Sequence, residues 1–261
     1  MAAVHELAPT QDRSGVLELF QAHRAIHIYG LADVAQFWET SRWWVRDGGV
    51  VGLVGLPGVE RAVVYAISAV HGGATLRLLQ DLAPQLPERF DITGPSGLTE
   101  RLDASHRATR SAPYVKMQLL RADMLPASPE GARVLEPGDL PAVRQLADGA
   151  GEALTFFRED LLGSGRQVGV FVGGRLAALA GVHVIDVELG VAAIGDVLTA
   201  PELRGRGFAA GAVAALCRRL GDEVATIGLN VGRDNTPART LYERLGFLPL
   251  MEYEEAELVR R

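Results

Sequence analysis

A short run in the second half of the chain, Arg204-Gly205-Arg206-Gly207-Phe208-Ala209, sets two guanidinium groups and two glycines immediately ahead of an apolar helical stretch. The first N–H groups of a helix have no partner within it, and the helix dipole presents its positive end there, so an anion is favoured. Gly205 and Gly207 remove side chains that would hold a ligand off those donors, while Arg204 and Arg206 supply charge for phosphate oxygens. The chemistry such a turn suits is the binding of a pyrophosphate. A glycine turn that only packs a helix closely on a sheet is the structural alternative.

Four other side chains could act on protons. Tyr242 carries a phenol whose ordinary pKa near 10 keeps it protonated at neutral pH yet able to donate to a developing anion. Asp196 interrupts the otherwise apolar strand AAIGDVLT, and His183 sits in the neighbouring GVHVID. Either could take a proton directly or through water, or be a hydrogen-bonded structural carboxylate and a satisfied core imidazole. Glu188 is a weaker candidate. Cys217, the sole cysteine, falls on the apolar stripe of a helix and reads as a small buried thiol; a single cysteine excludes an internal disulfide and a cysteine-cluster metal site. No Ser/His/Asp arrangement or HExxH spacing competes, and no metal is expected.

The elements that must hold these groups follow from periodicity. Ala209, Ala212, Val213, Leu216, Cys217 and Leu220 recur at helical spacing, so the glycine turn leads into a helix held against a sheet. ATIGLNV is a strand, and a further helix follows it, with Asn235 placed to cap it, Pro237 in its first turn and Gly246 at its end. Upstream, ARVLEPG reads as a strand, LPAVRQLADGA as a helix and FFREDLLG as a short second helix. QVGVFVGG and RLAALAGVHVID form a hairpin turning at Gly173 and Gly174. The first half gives a helix (VLELFQAH), three antiparallel strands (RWWVRD, VVGLVGL, RAVVYAIS), a helix (ATLRLLQDLA), a strand (FDITG), a helix (SGLTERLDAS) and a strand (APYVKMQLLR). Two prolines and several small residues in RADMLPASPEGARV place a linker at 122–131, between domains at 1–121 and 132–261.

On the strand AAIGDVLT, the turn RGRGFA and the later LNVGRDNTPARTLYERLGF, the chain resembles the GNAT superfamily of acetyl-CoA-dependent N-acetyltransferases. The similarity is strongest over about 190–247 and looser back to about 132. The resemblance implies an α+β fold in the C-terminal half, with a mixed central sheet flanked by helices, and a splayed strand pair, AAIGDVLT and ATIGLNV, that takes the pantetheine arm of acetyl-CoA as though it were a strand. By that match Val197, Leu198 and Thr199 lie along pantetheine, with the backbone of Val197 and Thr199 bonding to it. Arg204, Gly205, Arg206, Gly207, Phe208 and Ala209 hold the pyrophosphate, and Asn235 and Tyr242 lie near the sulfur, with Asn230 as a further contact. The family also implies direct transfer to a primary amine: the N–H of Val197 polarises the thioester carbonyl and Tyr242 protonates the leaving thiolate, while the group that removes the amine proton is read from the residues alone, with Asp196 and His183 as its candidates.

The first half repeats the order of elements without the glycine turn. It reads as a degenerate GNAT-like domain, with an unrelated α+β domain as the alternative. Tyr29, Trp38, Trp43 and Trp44 could line an acceptor cleft or belong to a core. The net charge of -6 and pI near 5.6 argue against nucleic acid as a partner. No apolar run reaches membrane-span length and the first residues do not read as a secretory signal, so a cytoplasmic location is expected. Two other functions fit parts of the sequence. One is dinucleotide binding, with GRGFAAG as fingerprint and Asp222 or Glu223 as ribose partner; it is disfavoured because the hairpin ahead of the turn does not begin a parallel β–α–β unit. The other is an acyl-CoA-binding regulatory module without turnover. The acceptor amine, small molecule or peptide, is not legible.

Overall fold

The computed structural model describes residues 7–56, 61–152, 154 and 157–261. The chain divides into two compact units, one formed by Met1–Lys116, Val231–Asn235 and Leu250–Arg261, the other by Met117–Asn230 and Thr236–Pro249. Both are mixed sheets flanked by helices.

The first unit runs α1 (Arg13–Gln21), α2 (Ile28–Phe37), β1 (Arg42–Arg46), β2 (Gly49–Val54), β3 (Ala62–Tyr65), α3 (Gly72–Leu82), β4 (Arg89–Gly94), α4 (Leu98–Leu102) and most of β5 (His106–Leu119). Asp12 starts α1 by accepting from the Gly15 N–H at 2.9 Å, which satisfies one of the helix's orphan donors. β1, β2 and β3 are antiparallel neighbours, as the sequence suggested, and β3 then pairs parallel with β4 across the α3 crossover. The last residues of the chain complete this sheet: β11 (Phe247–Arg260) pairs antiparallel with β4 from Glu254 to Val259. Leu78, Leu79 and Leu82 of α3 pack with Val64, Phe90, Ile92 and Leu258 in its core.

The second unit runs β6 (Ala132–Val134), α5 (Leu140–Ala150), β7 (Gln167–Val172), β8 (Arg175–Asp186), β9 (Val191–Thr199), α6 (Phe208–Gly221), the body of β10 (Thr226–Gly232), α7 (Thr236–Arg244) and the start of β11. Its strand order is β10-β9-β8-β7-β6. β9 and β10 are parallel, and the other pairs are antiparallel. Val143 and Leu146 of α5 meet Leu135, Leu176 and Leu179 on one face of the sheet.

Each unit therefore has helix, three antiparallel strands, helix, parallel strand, helix and strand in that order, the repeat expected from the sequence. Several expectations differ in detail. α2 lies where no element was expected. FFREDLLG forms only a single 3-10 turn, Glu159–Leu161, and Phe156 lies outside the described residues. The stretch 122–131 is packed rather than free: Pro129 sits over Gly211 of α6, and Arg218 donates to the carbonyl of Leu125 at 2.8 Å. The compact units are not the contiguous 1–121 and 132–261, because residues 250–261 bond to β4.

Candidate active site

The site lies where β9 stops pairing with β10. Their parallel ladder runs from Val191↔Thr226 to Ile194↔Leu229 and goes no further, while β9 continues to Thr199. Ala200 donates its N–H to Ala177 on β8 at 2.9 Å. Backbone groups alternate sides along a strand, so Leu198 also faces β8, and the peptide groups of Val197 and Thr199 face the side that β10 has left. Leu198, expected among the cofactor contacts, has its backbone on the β8 ladder and its side chain against the α5 cluster, so it offers the groove no polar group.

Two bulges shape this stretch. Between the pairs Gly195↔Gly181 and Leu198↔Leu179, Asp196 and Val197 stand opposite the single residue Ala180, and Asp196 takes a φ of 47°. One step along, His183 is the extra residue on β8 between Val182↔Ile194 and Val184↔Ala193. A bulge breaks side-chain alternation and re-aims the residues in it. Here the effect is to bring His183 Nε2 to 3.3 Å from Asp196 Oδ2. Gly195 makes this possible, since a Cβ there would lie 2.2 Å from the imidazole Cε1. The His183 and Asp196 side chains are 23% and 11% exposed, so both sit at the edge of solvent. Glu188 lies in the exposed turn after β8, away from the pair along the chain.

β9 runs through the 3-10 turn Pro201–Leu203 into Arg204–Gly207, all exposed, and then into α6. Gly205 and Gly207 have φ of 77° and 82°, and no protein atom lies within 4 Å of a Cβ built on either. The turn thus has the left-handed backbone that favours glycine and open space above it, which fits a pyrophosphate approaching the first N–H groups of α6. Phe208 and Ala209 are half-buried on the first turn of the helix. Asn230 is half-buried on β10 just past its last pair with β9. Asn235 is exposed in the turn before α7, its N–H on the Gly232 carbonyl at 3.0 Å, and belongs to the first unit.

β9, α6 and β10 form a parallel β–α–β unit, so the absence of one cannot be used against dinucleotide binding; Glu223, a suggested ribose partner, is taken by Arg166 at 2.6 Å. The sequence relationship decides the matter. Residues 142–247 match the family model described as the acetyltransferase (GNAT) family. This segment is a GNAT acetyltransferase domain. A GNAT-family protein from Novosphingobium aromaticivorans is 25% identical, with a TM-score of 0.51 over 70% of this chain and 80% of that one. A Drosophila protein matches 97% of this chain and 98% of its own at a TM-score of 0.69 and 18% identity. A tandem GNAT protein from the clavulanic acid biosynthesis pathway matches 97% of both chains at 0.52 and 18%, likenesses that concern the fold alone. No curated protein matches by sequence.

Within the GNAT domain, Tyr242 is 7% exposed, with its ring edge-on to Phe247 at 5.8 Å. Burial, with the Cys217 thiol nearby, pushes its phenol up to about 12, so the ordinary value expected from sequence does not hold. Burial also raises the Cys217 thiol to about 12, which leaves it inert as a nucleophile. In the first unit, Trp43 and Trp44 are 1% and 5% exposed on adjacent positions of β1, so both faces of that strand are covered and neither lines a cleft. Tyr29 is half-buried with its ring 5.4 Å from the Lys116 ammonium, and Trp38 is half-buried in the 3-10 turn after α2. Among the described residues no cluster suits a metal ion, and no helix is long and apolar enough to cross a membrane.

Proposed function

We propose that the GNAT domain transfers an acetyl group from acetyl-CoA to a primary amine by direct attack. The observation that carries this reading is the unpaired edge of β9 at Val197 and Thr199, running straight into the open, positive-φ turn at Gly205 and Gly207. A strand edge offers amide donors and acceptors to the pantetheine arm, and the helix start offers donors to the pyrophosphate. Arg204 and Arg206 add charge, Phe208 and Ala209 contribute backbone N–H groups, and Asn230 is a further polar contact.

The amine nitrogen bonds to the thioester carbon, the carbonyl oxygen gains charge and is stabilised by the N–H of Val197, the C–S bond then breaks to release the thiolate, and the surplus proton on the new amide nitrogen passes to solvent. An alkylammonium must first lose a proton. His183 and Asp196 act together in this: the imidazole takes the proton and the carboxylate beside it holds the ring and steadies the charge. Tyr242 serves the sulfur. With its pKa near 12 against about 8.5 for an ordinary thiol, full proton transfer to a released thiolate is uphill by about 5 kcal/mol. The phenol therefore stabilises the leaving sulfur by donating a hydrogen bond rather than by giving up its proton.

The test is incubation of the full chain with acetyl-CoA and a panel of primary amines, following free thiol release and amide formation by mass spectrometry. Amine-dependent release supports transfer. Tight acetyl-CoA binding with no turnover across the panel would support a regulatory acyl-CoA-binding module instead.

A further inference from the structure

A cavity of about 120 Å³ opens in the first unit between the end of α1, the start of β2 and the connection from β3 to α3. Its floor is apolar, with Phe20, Val50 and Ile67 all buried, and its rim carries His23 and His71, both exposed. That space exceeds what one water needs and admits a molecule of a few heavy atoms. His27 also lines it, 4% exposed and stacked on Phe20 with ring centroids 4.6 Å apart.

The hydrogen bonds around His27 decide which ring nitrogen carries the hydrogen. Its Nδ1 lies 2.9 Å from the Tyr65 hydroxyl. Burial holds that phenol protonated, and the N–H of Gly30 bonds to its oxygen, so the phenol gives its own hydrogen to Nδ1. The neutral imidazole then carries its hydrogen on Nε2. Nε2 has no acceptor among the described residues, yet it is not closed to water. With Phe20 over one face and Tyr65 at Nδ1, the Nε2 edge is left to the cavity. Ser68 supplies a second donor there: its oxygen accepts from the His71 N–H at 2.9 Å, and its own hydrogen has no acceptor among the described residues.

Two donors above an apolar floor suit a ligand with an acceptor-only head and a short apolar tail. An ionised carboxylate is such a head. The local charge agrees, since besides burial the positive charges of Lys116 and of protonated His23 lower the His27 pKa, and the same field favours an anion at Nε2. We propose that this cavity binds a short-chain aliphatic monocarboxylate, its head received by His27 Nε2–H and the Ser68 hydroxyl and its chain laid on Phe20, Val50 and Ile67. The site lies wholly in the first unit and does not depend on the transferase reading of the second. A bound acceptor also relieves a buried N–H that the protein itself leaves without a partner.

The experiment uses the full chain with nitrogen-15 in its histidines, in a buffer free of carboxylate and phosphate, and follows the His27 ring signals on titration with butyrate, n-butylammonium or inorganic phosphate. Before titration the ring should show hydrogen on Nε2 alone. Butyrate should give saturable shifts at Nε2, butylammonium none, and phosphate weaker binding because it has no apolar tail. Ser68→Ala removes one donor from a half-buried position and leaves the His71 N–H to water, so it should fold and bind butyrate about tenfold more weakly. His27→Phe should abolish the heat of butyrate binding in calorimetry, and Ser68→Ala decides alone if that variant misfolds. No saturable shift, which would mean a cavity filled by water, would overturn the proposal. So would equal binding of butylammonium, equal affinity for phosphate, or unchanged butyrate affinity in Ser68→Ala.

Discussion

His183 and Asp196 illustrate what single residues conceal. The sequence nominates each separately, because a carboxylate and an imidazole among Leu, Ile and Val are conspicuous, yet strict alternation gives no reason to bring them together. Their pairing comes from two bulges and from Gly195 beneath the imidazole, none of which is written in the local pattern. Tyr242 was found by position, but its environment changes what it can do. Tyr242→Phe should leave CoA binding intact and lower kcat by about 10- to 100-fold, the worth of a hydrogen bond to a charged group. Because a phenol near 12 does not titrate between pH 6 and 10, the pH profile of kcat should keep its shape; a lost alkaline limb would show that the phenol does pass on its proton. A second residue-scale prediction concerns stability. His27 is 4% exposed, its Nδ1 2.9 Å from the Tyr65 hydroxyl, and burial lowers its pKa to about 3. The folded state thus keeps it neutral while the unfolded chain takes up a proton below about 6.5. Its share of stability is complete above pH 6.5 and is lost as pH falls toward 3, amounting to about 2 to 3 kcal/mol by pH 4.5. In urea titrations at pH 6.5 and 4.5, His27→Gln should lose less stability on acidification than the parent; an equal loss would contradict this assignment.

At the scale of elements, most of the helices and strands were legible, because punctuation and periodicity agreed. The turn into α6 and the end of α7 are examples: Gly207 and Gly246 both adopt positive φ, and a Cβ at Gly246 would meet the Arg121 carbonyl at 2.1 Å. α2 was not legible, since IYGLADVAQF is buried around much of its circumference and contains Gly30, packed under Tyr65 and Phe20, so neither an amphipathic stripe nor a cap announces it. β11 was missed for its length and its partner, a strand far away in sequence. The glycine turn yields a prediction at this scale. Arg206→Ala removes one exposed, screened charge and should weaken CoA binding about three- to tenfold, more at low salt than at high. Gly207→Val should weaken it further, because the branched side chain enters the open space above the turn and also strains a backbone held at φ 82°. Calorimetry with CoA orders the two, and circular dichroism separates lost binding from lost fold. Normal CoA affinity in a folded Gly207→Val protein would place the pyrophosphate elsewhere.

The whole molecule repeats one order of elements twice, yet only one copy has the open strand edge and glycine turn on which the proposed CoA binding rests. In the second unit β9 outruns its ladder with β10 by the residues Gly195–Thr199, leaving peptide groups for a ligand. In the first unit β3 stays paired with β4 to its last residue, Tyr65↔Thr93, and the Ala66 N–H continues the ladder onto Thr93 at 2.7 Å. Among the described residues β3 leaves no stretch unpaired against β4 there. The connection that follows, Ala66 to His71, contains no glycine and no arginine, so it lacks both the positive-φ turn and the charge found at Arg204–Gly207. Titration calorimetry should therefore give one CoA per chain, and the paired change Arg204→Ala with Arg206→Ala should weaken that single site without revealing another. A stoichiometry of two, or a residual site of unchanged affinity in the double variant, would mean that the first unit binds CoA by a route its strand pairing does not suggest. Deleting residues 250–261 probes the same architecture from the other side. Those residues supply the strand that covers β4 and bury Ala256 and Leu258 in the first unit's core, so their loss should expose a sheet edge and destabilise that unit. The turn Arg204–Gly207 and the β9 edge involve none of the deleted residues. If the shortened chain stays soluble, hydrogen exchange should rise first along β4 and α3 while CoA still protects the start of α6; protection lost equally in both places would show that the two units fold as a single cooperative body.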